Sequence, residues 1–112
     1  MMAGRTIVSL LYLLASAAAQ DASAGKLRSQ GEEAMMSGQP ELALQYYQAA
    51  VDLEPENALN HYKLFRVQQR MRKYVDALRS ISKSAELKPQ SDDYKIQKIK
   101  LLKSLGQCEE AS

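Results

Sequence analysis

The 112-residue chain has no tryptophan, one cysteine, one histidine and three prolines. A lone Cys108 cannot close a disulfide within the chain, which excludes a disulfide-stapled scaffold. With His61 the only imidazole, no His/Cys metal cluster forms, and no Ser/His/Asp or Cys/His catalytic arrangement is credible around the single His61 and Cys108. The five glycines are scattered and make no phosphate-cradling loop. Excess charge is missing as well: the net charge is +2, too small for a global pull toward nucleic acid. The remaining composition, 46% hydrophobic and 25% charged, is that of an ordinary globular protein, far from collagen or a disordered tail. The length allows one domain at most. The expectation is a non-enzymatic chain that uses no cofactor and no metal.

Charge is also absent along residues 6–19, Thr-Ile-Val-Ser-Leu-Leu-Tyr-Leu-Leu-Ala-Ser-Ala-Ala-Ala, behind a single Arg5. A basic residue, a short apolar core and a small-x-small site are the parts of a secretory signal peptide. Ala17 and Ala19 favour a cut before Gln20, with cuts after Ala17 or Ala24 as alternatives. The run falls short of the about 20 residues that a membrane-spanning helix needs. Residues 1–19 therefore read as signal peptide, and no stable membrane insertion is expected after its removal. The expected location is the endoplasmic-reticulum lumen, with secretion or a periplasm as alternatives. Cleavage leaves 93 residues (112 − 19) with 14 basic and 13 acidic groups, a net charge of +1. In that oxidising setting Cys108 reads as a small packing residue or as a half-cystine whose partner lies in another chain or in sequence outside residues 1–112.

The rest of the chain repeats itself. Ala43, Ala77 and Ala111 are spaced by 34 residues, as are Leu53 and Leu87, Pro55 and Pro89, and the turn positions Gly38, Arg72 and Gly106. After a linker at 20–23, two gap-free blocks cover 24–57 and 58–91, and 92–112 begins a third. The apolar periodicity predicts helices over about 25–37, 40–53, 59–71, 74–87 and 92–105, then the stub of a sixth. Gly38 suits a left-handed C-cap and Pro40 a first helical turn, and Pro55 and Pro89 close the second helices. Ala43, Ala50 and Ala77 permit close helix approach, with Leu44, Tyr47, Leu78 and Ile81 filling the space between. Four positions depart from the pattern. Phe65 and Ile99 stand where the first block has Gly31, Ser84 replaces Ala50, and Gln68 holds an apolar position.

With Gly31-x2-Ala34, Ala43-x3-Tyr47 and Pro55 in one block and Ala77-x3-Ile81 and Pro89 in the next, the chain resembles the tetratricopeptide repeat (TPR) proteins. The resemblance implies an all-α solenoid of helical hairpins, about 2.6 repeats, with no catalytic centre of its own. It also implies a concave groove lined by the first helix of each repeat. Inward positions would be Arg28, Ser29, Glu32, Met35 and Met36, then Tyr62, Lys63, Arg66, Gln69 and Arg70, then Ile96, Gln97, Lys100 and Lys103. The expected binding residues among them are Arg28, Met35, Met36, Tyr62, Lys63, Arg66, Arg70, Ile96 and Lys100. Paired methionines suit adaptable apolar binding. The blocks differ in charge: two basic against six acidic residues, then eight against two, then four against four. The basic second block suits either complementarity between repeats or an acidic partner. TPR domains that hold the acidic tails of cytosolic Hsp70 and Hsp90 use a Lys/Asn/Asn/Lys/Arg clamp. The matching positions here are Arg28, Glu32, Lys63, Asp93 and Gln97, and two of these acids would repel a carboxylate. His61 and the tyrosines read as packing residues, and Asp92-Asp93 and Glu109-Glu110 as acids at helix N-termini.

A signal followed at once by this repeat, with Ala-Ala-Val-Asp-Leu-Glu-Pro-Glu-Asn at 49–57, is similar to one group. These are the endoplasmic-reticulum co-chaperones that join a TPR array to a J domain, the p58-type inhibitors of the interferon-induced protein kinase. That resemblance implies binding of unfolded or misfolded polypeptides in the lumen. Cooperation with a luminal Hsp70 would need a J domain, whose His-Pro-Asp motif is not in residues 1–112. The alternative is an adaptor that recognises one protein partner through the basic second repeat. Because the third block stops after 21 residues, the chain is expected to be a fragment with a fraying 92–112 segment.

Overall fold

The computed structural model describes residues 23–111, with side chains described as far as Gly106. The expected signal peptide and the Cys108 side chain lie outside the described residues. Among the described residues five helices follow one another: α1 (23–36), then α2 (Pro40–Leu53), α3 (Ala58–Arg70), α4 (Tyr74–Leu87) and α5 (Asp92–Ala111). Short connections make successive helices antiparallel neighbours. Packing is sequential, α2 on α3, α3 on α4 and α4 on α5, which is the layout of a one-dimensional solenoid. None of the described helices is long and apolar enough to cross a membrane.

Three apolar clusters hold the stack. Ala24, Leu27 and Ala50 join α1 to α2. Ala34, Ala43, Tyr47, Val51, Leu64 and Val67 join α1, α2 and α3. Phe65, Ala77, Ile81 and Leu101 join α3, α4 and α5. Ala43, Ala50 and Ala77 are wholly buried, as their small side chains between close helices require.

The 34-residue register is most literal at the turns. Gly38 has φ 72° and Arg72 has φ 62°. At the first turn Gly38 N–H donates to Met35 O (3.1 Å) and Gln39 N–H to Ala34 O (2.8 Å). At the second, Arg72 N–H donates to Gln69 O (3.0 Å) and Lys73 N–H to Gln68 O (2.8 Å). Both are Schellman C-caps, and the second forces an arginine into the left-handed region that glycine adopts freely. Gly106, the third member of the series, makes no turn: α5 runs through it to Ala111, so the expected end at 105 and the stub of a sixth helix are corrected. Gly38 is followed two residues on by Pro40, which opens α2, whereas Gln107-Cys108-Glu109-Glu110 contains no helix breaker. Glu109 and Glu110 therefore sit at the C-terminal end of α5, not at a helix start, while Asp92 and Asp93 do occupy a first turn.

Three of the four departures from the pattern are accommodated in the core, whereas Ile99 is left 52% exposed on α5. A Cβ at Gly31 would lie 2.7 Å from Cδ1 of Tyr47, so the tyrosine ring fills the space that glycine leaves. One repeat later the sizes are redistributed, Phe65 meeting Ile81, both buried. Gln68 is buried and accepts from Ser80 Oγ at 2.7 Å. Ser84 donates to the Ala58 carbonyl at 3.0 Å. Asn57 caps α3 by accepting from Leu59 N–H at 3.0 Å.

Candidate functional site

A groove of about 290 Å3 opens between α1 and α3, lined by Glu32, Met35, Met36, Tyr47, Lys63, Arg66 and Arg70. Its two walls differ in chemistry. Residues 32, 35 and 36 share one face of α1, and residues 63, 66 and 70 share one face of α3, because side chains three and four apart project together. Met36 is 86% exposed and Met35 packs partly onto the core beneath. Tyr47 reaches the groove from α2 only because Gly31 leaves room for its ring.

The α3 wall is cationic. Lys63 Nζ donates to the Glu32 carboxylate across the groove. That hydrogen bond holds the Glu32 carboxyl below the usual range against the opposing effect of burial, with help from the charges of Lys63, Arg66 and Arg28. Burial pushes the Tyr47 phenol above its ordinary value, with the Glu32 charge adding to the rise and Arg66 opposing it. Arg66 and Arg70 are exposed, and among the described residues neither is in an ion pair. Three cations against one anion leave the groove with two uncompensated positive charges beside two thioethers.

Five of the nine expected binding residues thus meet in one place: Met35, Met36, Lys63, Arg66 and Arg70. The other four do not line it. Arg28 donates to Asn60 Oδ1 at 2.5 Å and lies 3.8 Å from Glu54, which ties its guanidinium into the junction of α1, α2 and α3. Asn60, wholly buried, in turn donates to the carbonyls of Ala50 (3.0 Å) and Glu54 (3.1 Å). Tyr62 packs between Phe65 and Tyr94, at ring-centroid distances of 5.9 and 5.2 Å. Tyr62 and Tyr94 lie 34 residues after Arg28 and Asn60, so the same first-helix junction is polar at α1/α3 and aromatic at α3/α5. Ile96 and Lys100 are exposed on α5, beyond that aromatic pair. Glu32, expected only as an inward acid that would repel a carboxylate, accepts from Lys63 here, and Tyr47, expected as packing alone, also lines the groove; Gly31, opposite Tyr47, is the signal that the ring can reach through.

A larger, shallower depression of about 830 Å3 follows the turns between hairpins, lined among others by Glu54, Glu56, Asn57, Lys88 and Tyr94. It mixes charges of both signs and presents no aligned set. His61 Nε2 donates to the Pro55 carbonyl at 2.7 Å, a structural role near that end of the stack.

A sequence profile of the tetratricopeptide repeat matches residues 34–105. No curated protein sequence matches the chain. Among solved structures, the crystal structure of MamA superposes with a TM-score of 0.70 at 19% identity, over 83% of this chain and 54% of that chain. The chain spans about half the length of that structure, and at this identity the likeness is one of fold alone.

Proposed function

The chain belongs to the tetratricopeptide repeat family, and we propose that it acts as a protein-interaction adaptor whose α1/α3 groove takes an extended segment of a partner in which acidic and apolar residues alternate. One observation carries this reading: a thioether wall, Met35 and Met36, faces a cationic wall, Lys63, Arg66 and Arg70, across one groove. Successive side chains of an extended peptide point to opposite sides. Acids would meet α3 while the residues between them met α1. The probe that tests this is Ac-Trp-Leu-Glu-Leu-Glu-Leu-NH2, whose indole would be the only one in the mixture because the chain has none. Its anisotropy should rise on binding, and the double reversal Arg66→Glu/Arg70→Glu should weaken binding at least about tenfold, a loss of about 1.4 kcal/mol. Added salt should weaken the wild-type complex. Unchanged affinity in the double reversal would sink the reading.

Arg5 and the uncharged run to Ala19 support action in the secretory pathway, in the endoplasmic-reticulum lumen in particular. Expression in a secreting cell should yield a product beginning at Gln20 by mass spectrometry; a retained Met1 would count against it. A second reading, general binding of unfolded polypeptide, rests on exposed apolar groups: Met36, with Ile96, Ile99 and Leu102 on α5. Suppression of aggregation of a reduced, unfolded client that survives the Arg66/Arg70 reversal would favour it over the adaptor. Partnership with a luminal Hsp70 belongs to this reading only where a J domain follows.

A further inference from the structure

Glu32 occupies an unusual place in the groove. It is the only acid among the lining residues, and it stands on the otherwise apolar α1 wall. Its carboxylate takes the hydrogen bond of Lys63, the most covered of the groove's cations, with a side chain 17% exposed. The two remaining cations, Arg66 and Arg70, carry no resident partner among the described residues. The lining therefore divides into a free pair of arginines one turn apart and a lysine already satisfied by an anion that belongs to the protein.

We propose that Glu32 is a resident competitor: its carboxylate occupies the Lys63 subsite, and a partner's second acid engages Lys63 only by displacing it. The inference rests on the groove reading above and states what that groove selects. Along α3, Lys63 and Arg66 are separated by about 4.5 Å of rise and Lys63 and Arg70 by about 10.5 Å. Same-side residues of an extended peptide are about 7 Å apart. A segment of Glu-x-Glu form can therefore place one carboxylate on the arginines and the next at Lys63. A single acid is served by Arg66 and Arg70 without disturbing Glu32. Two acids must compete with it, so Glu32 lowers affinity for the doubly acidic segment and leaves the singly acidic one nearly untouched. Because Glu32 is half exposed, the exchange is one solvent-screened ion pair for another, and the effect is correspondingly modest.

The test uses the diacidic probe above and its monoacidic counterpart, Ac-Trp-Leu-Glu-Leu-Gln-Leu-NH2, against wild type, Glu32→Gln and Glu33→Gln. Glu33 is the exposed neighbour and is not a groove residue, so its variant changes net charge equally without freeing Lys63. Glu32→Gln should tighten the diacidic probe about two- to fivefold, the range of one exposed ion pair. It should change the ratio of diacidic to monoacidic affinity by the same factor, and Glu33→Gln should leave that ratio alone. The inference fails if Glu32→Gln weakens the diacidic probe, or tightens both probes equally, or is matched by Glu33→Gln. Those outcomes leave the groove reading intact provided the Arg66/Arg70 reversal still weakens binding at least about tenfold. Affinity unchanged by the reversal overturns both.

Discussion

Placing a single methyl group at Gly31 tests the packing that opens the groove. In Gly31→Ala the new Cβ would lie 2.7 Å from Cδ1 and 2.8 Å from Cζ of Tyr47, and closer still to Cε1. Carbon atoms pack best at about 3.5–4.0 Å, so the ring must retreat by about 1 Å. It has little room to do so, being 3% exposed among Ala34, Ala43, Val51, Leu64 and Val67. Overpacking of this kind costs about 1–3 kcal/mol. Opposing it, alanine is favoured over glycine inside a helix by about 1 kcal/mol. The net expectation is a loss of about 1 kcal/mol, a fall in Tm of about 4–8 °C for a domain of this size. The decisive comparison is the same change in a Tyr47→Ile background, which puts at 47 the residue that the next repeat carries at 81. With the ring gone the clash disappears and only the helix preference remains, so Gly31→Ala should there stabilise by about 1 kcal/mol. Urea unfolding followed by helical circular dichroism measures both arms. If Gly31→Ala stabilises the protein in both backgrounds, the close approach of Tyr47 is not what keeps position 31 small.

Three further expectations follow from named contacts. Arg72→Gly relieves a left-handed arginine and should raise stability by about 1 kcal/mol in the same urea assay. Asn60→Ala removes one hydrogen-bond partner each from Arg28 and from the Ala50 and Glu54 carbonyls at a buried position and should cost about 1–3 kcal/mol, whereas Asn57→Ala, an exposed cap, should cost about 1 kcal/mol. Burial raises the phenols of Tyr47 and Tyr94 above their ordinary value of 10.0. Because the folded value is the higher one, their contribution is complete below the unfolded value and is lost as pH rises through the folded one. Tyrosinate absorbance should therefore show these two ionising above the ordinary tyrosine value, and Tyr94→Phe should flatten the alkaline loss of stability.

Much of the fold was legible because its determinants are local and recur at a fixed interval. Proline at 40, 55 and 89 and alanine at 43 and 77 mark helix starts, stops and crossings wherever they occur, and the helices over Pro40–Leu53 and Tyr74–Leu87 coincide with the sequence expectation. Gly106 misled for a complementary reason. A glycine permits a left-handed turn without requiring one, and with no proline behind it the helix continues at a cost of about 1 kcal/mol. The buried polar groups were legible only as anomalies. Gln68 and Ser84 broke an apolar pattern, but their partners, Ser80 Oγ and the Ala58 carbonyl, lie on neighbouring helices, and no local rule names them. The candidate site was half legible for a similar reason. Family geometry places residues on the first helix of each repeat without saying whether the space beside them is open.

What opens that space is a difference between repeats. Positions that agree across the 34-residue register, such as Ala43 with Ala77 or Gly38 with Arg72 in backbone shape, build the scaffold. Positions that disagree shape the groove. Glu32 and Arg66 are register equivalents, as are Met36 and Arg70, so one repeat's acid and thioether face the next repeat's two arginines. The same comparison explains why the groove does not continue toward α5. At α1/α3 the junction pair is Arg28 with Asn60, a polar contact that turns inward onto the carbonyls of α2. At α3/α5 it is Tyr62 with Tyr94, two rings that fill the gap. Beyond them, Lys100 is the register equivalent of Arg66, yet it has no thioether wall opposite, because Gln69 and Arg70 stand where the first repeat has Met35 and Met36, while Tyr62 and Phe65 pack into the core. A basic residue at the right register position is therefore insufficient. The groove requires a small residue at 31, a ring at 47 behind it and apolar side chains at 35 and 36, and only the first repeat supplies all four.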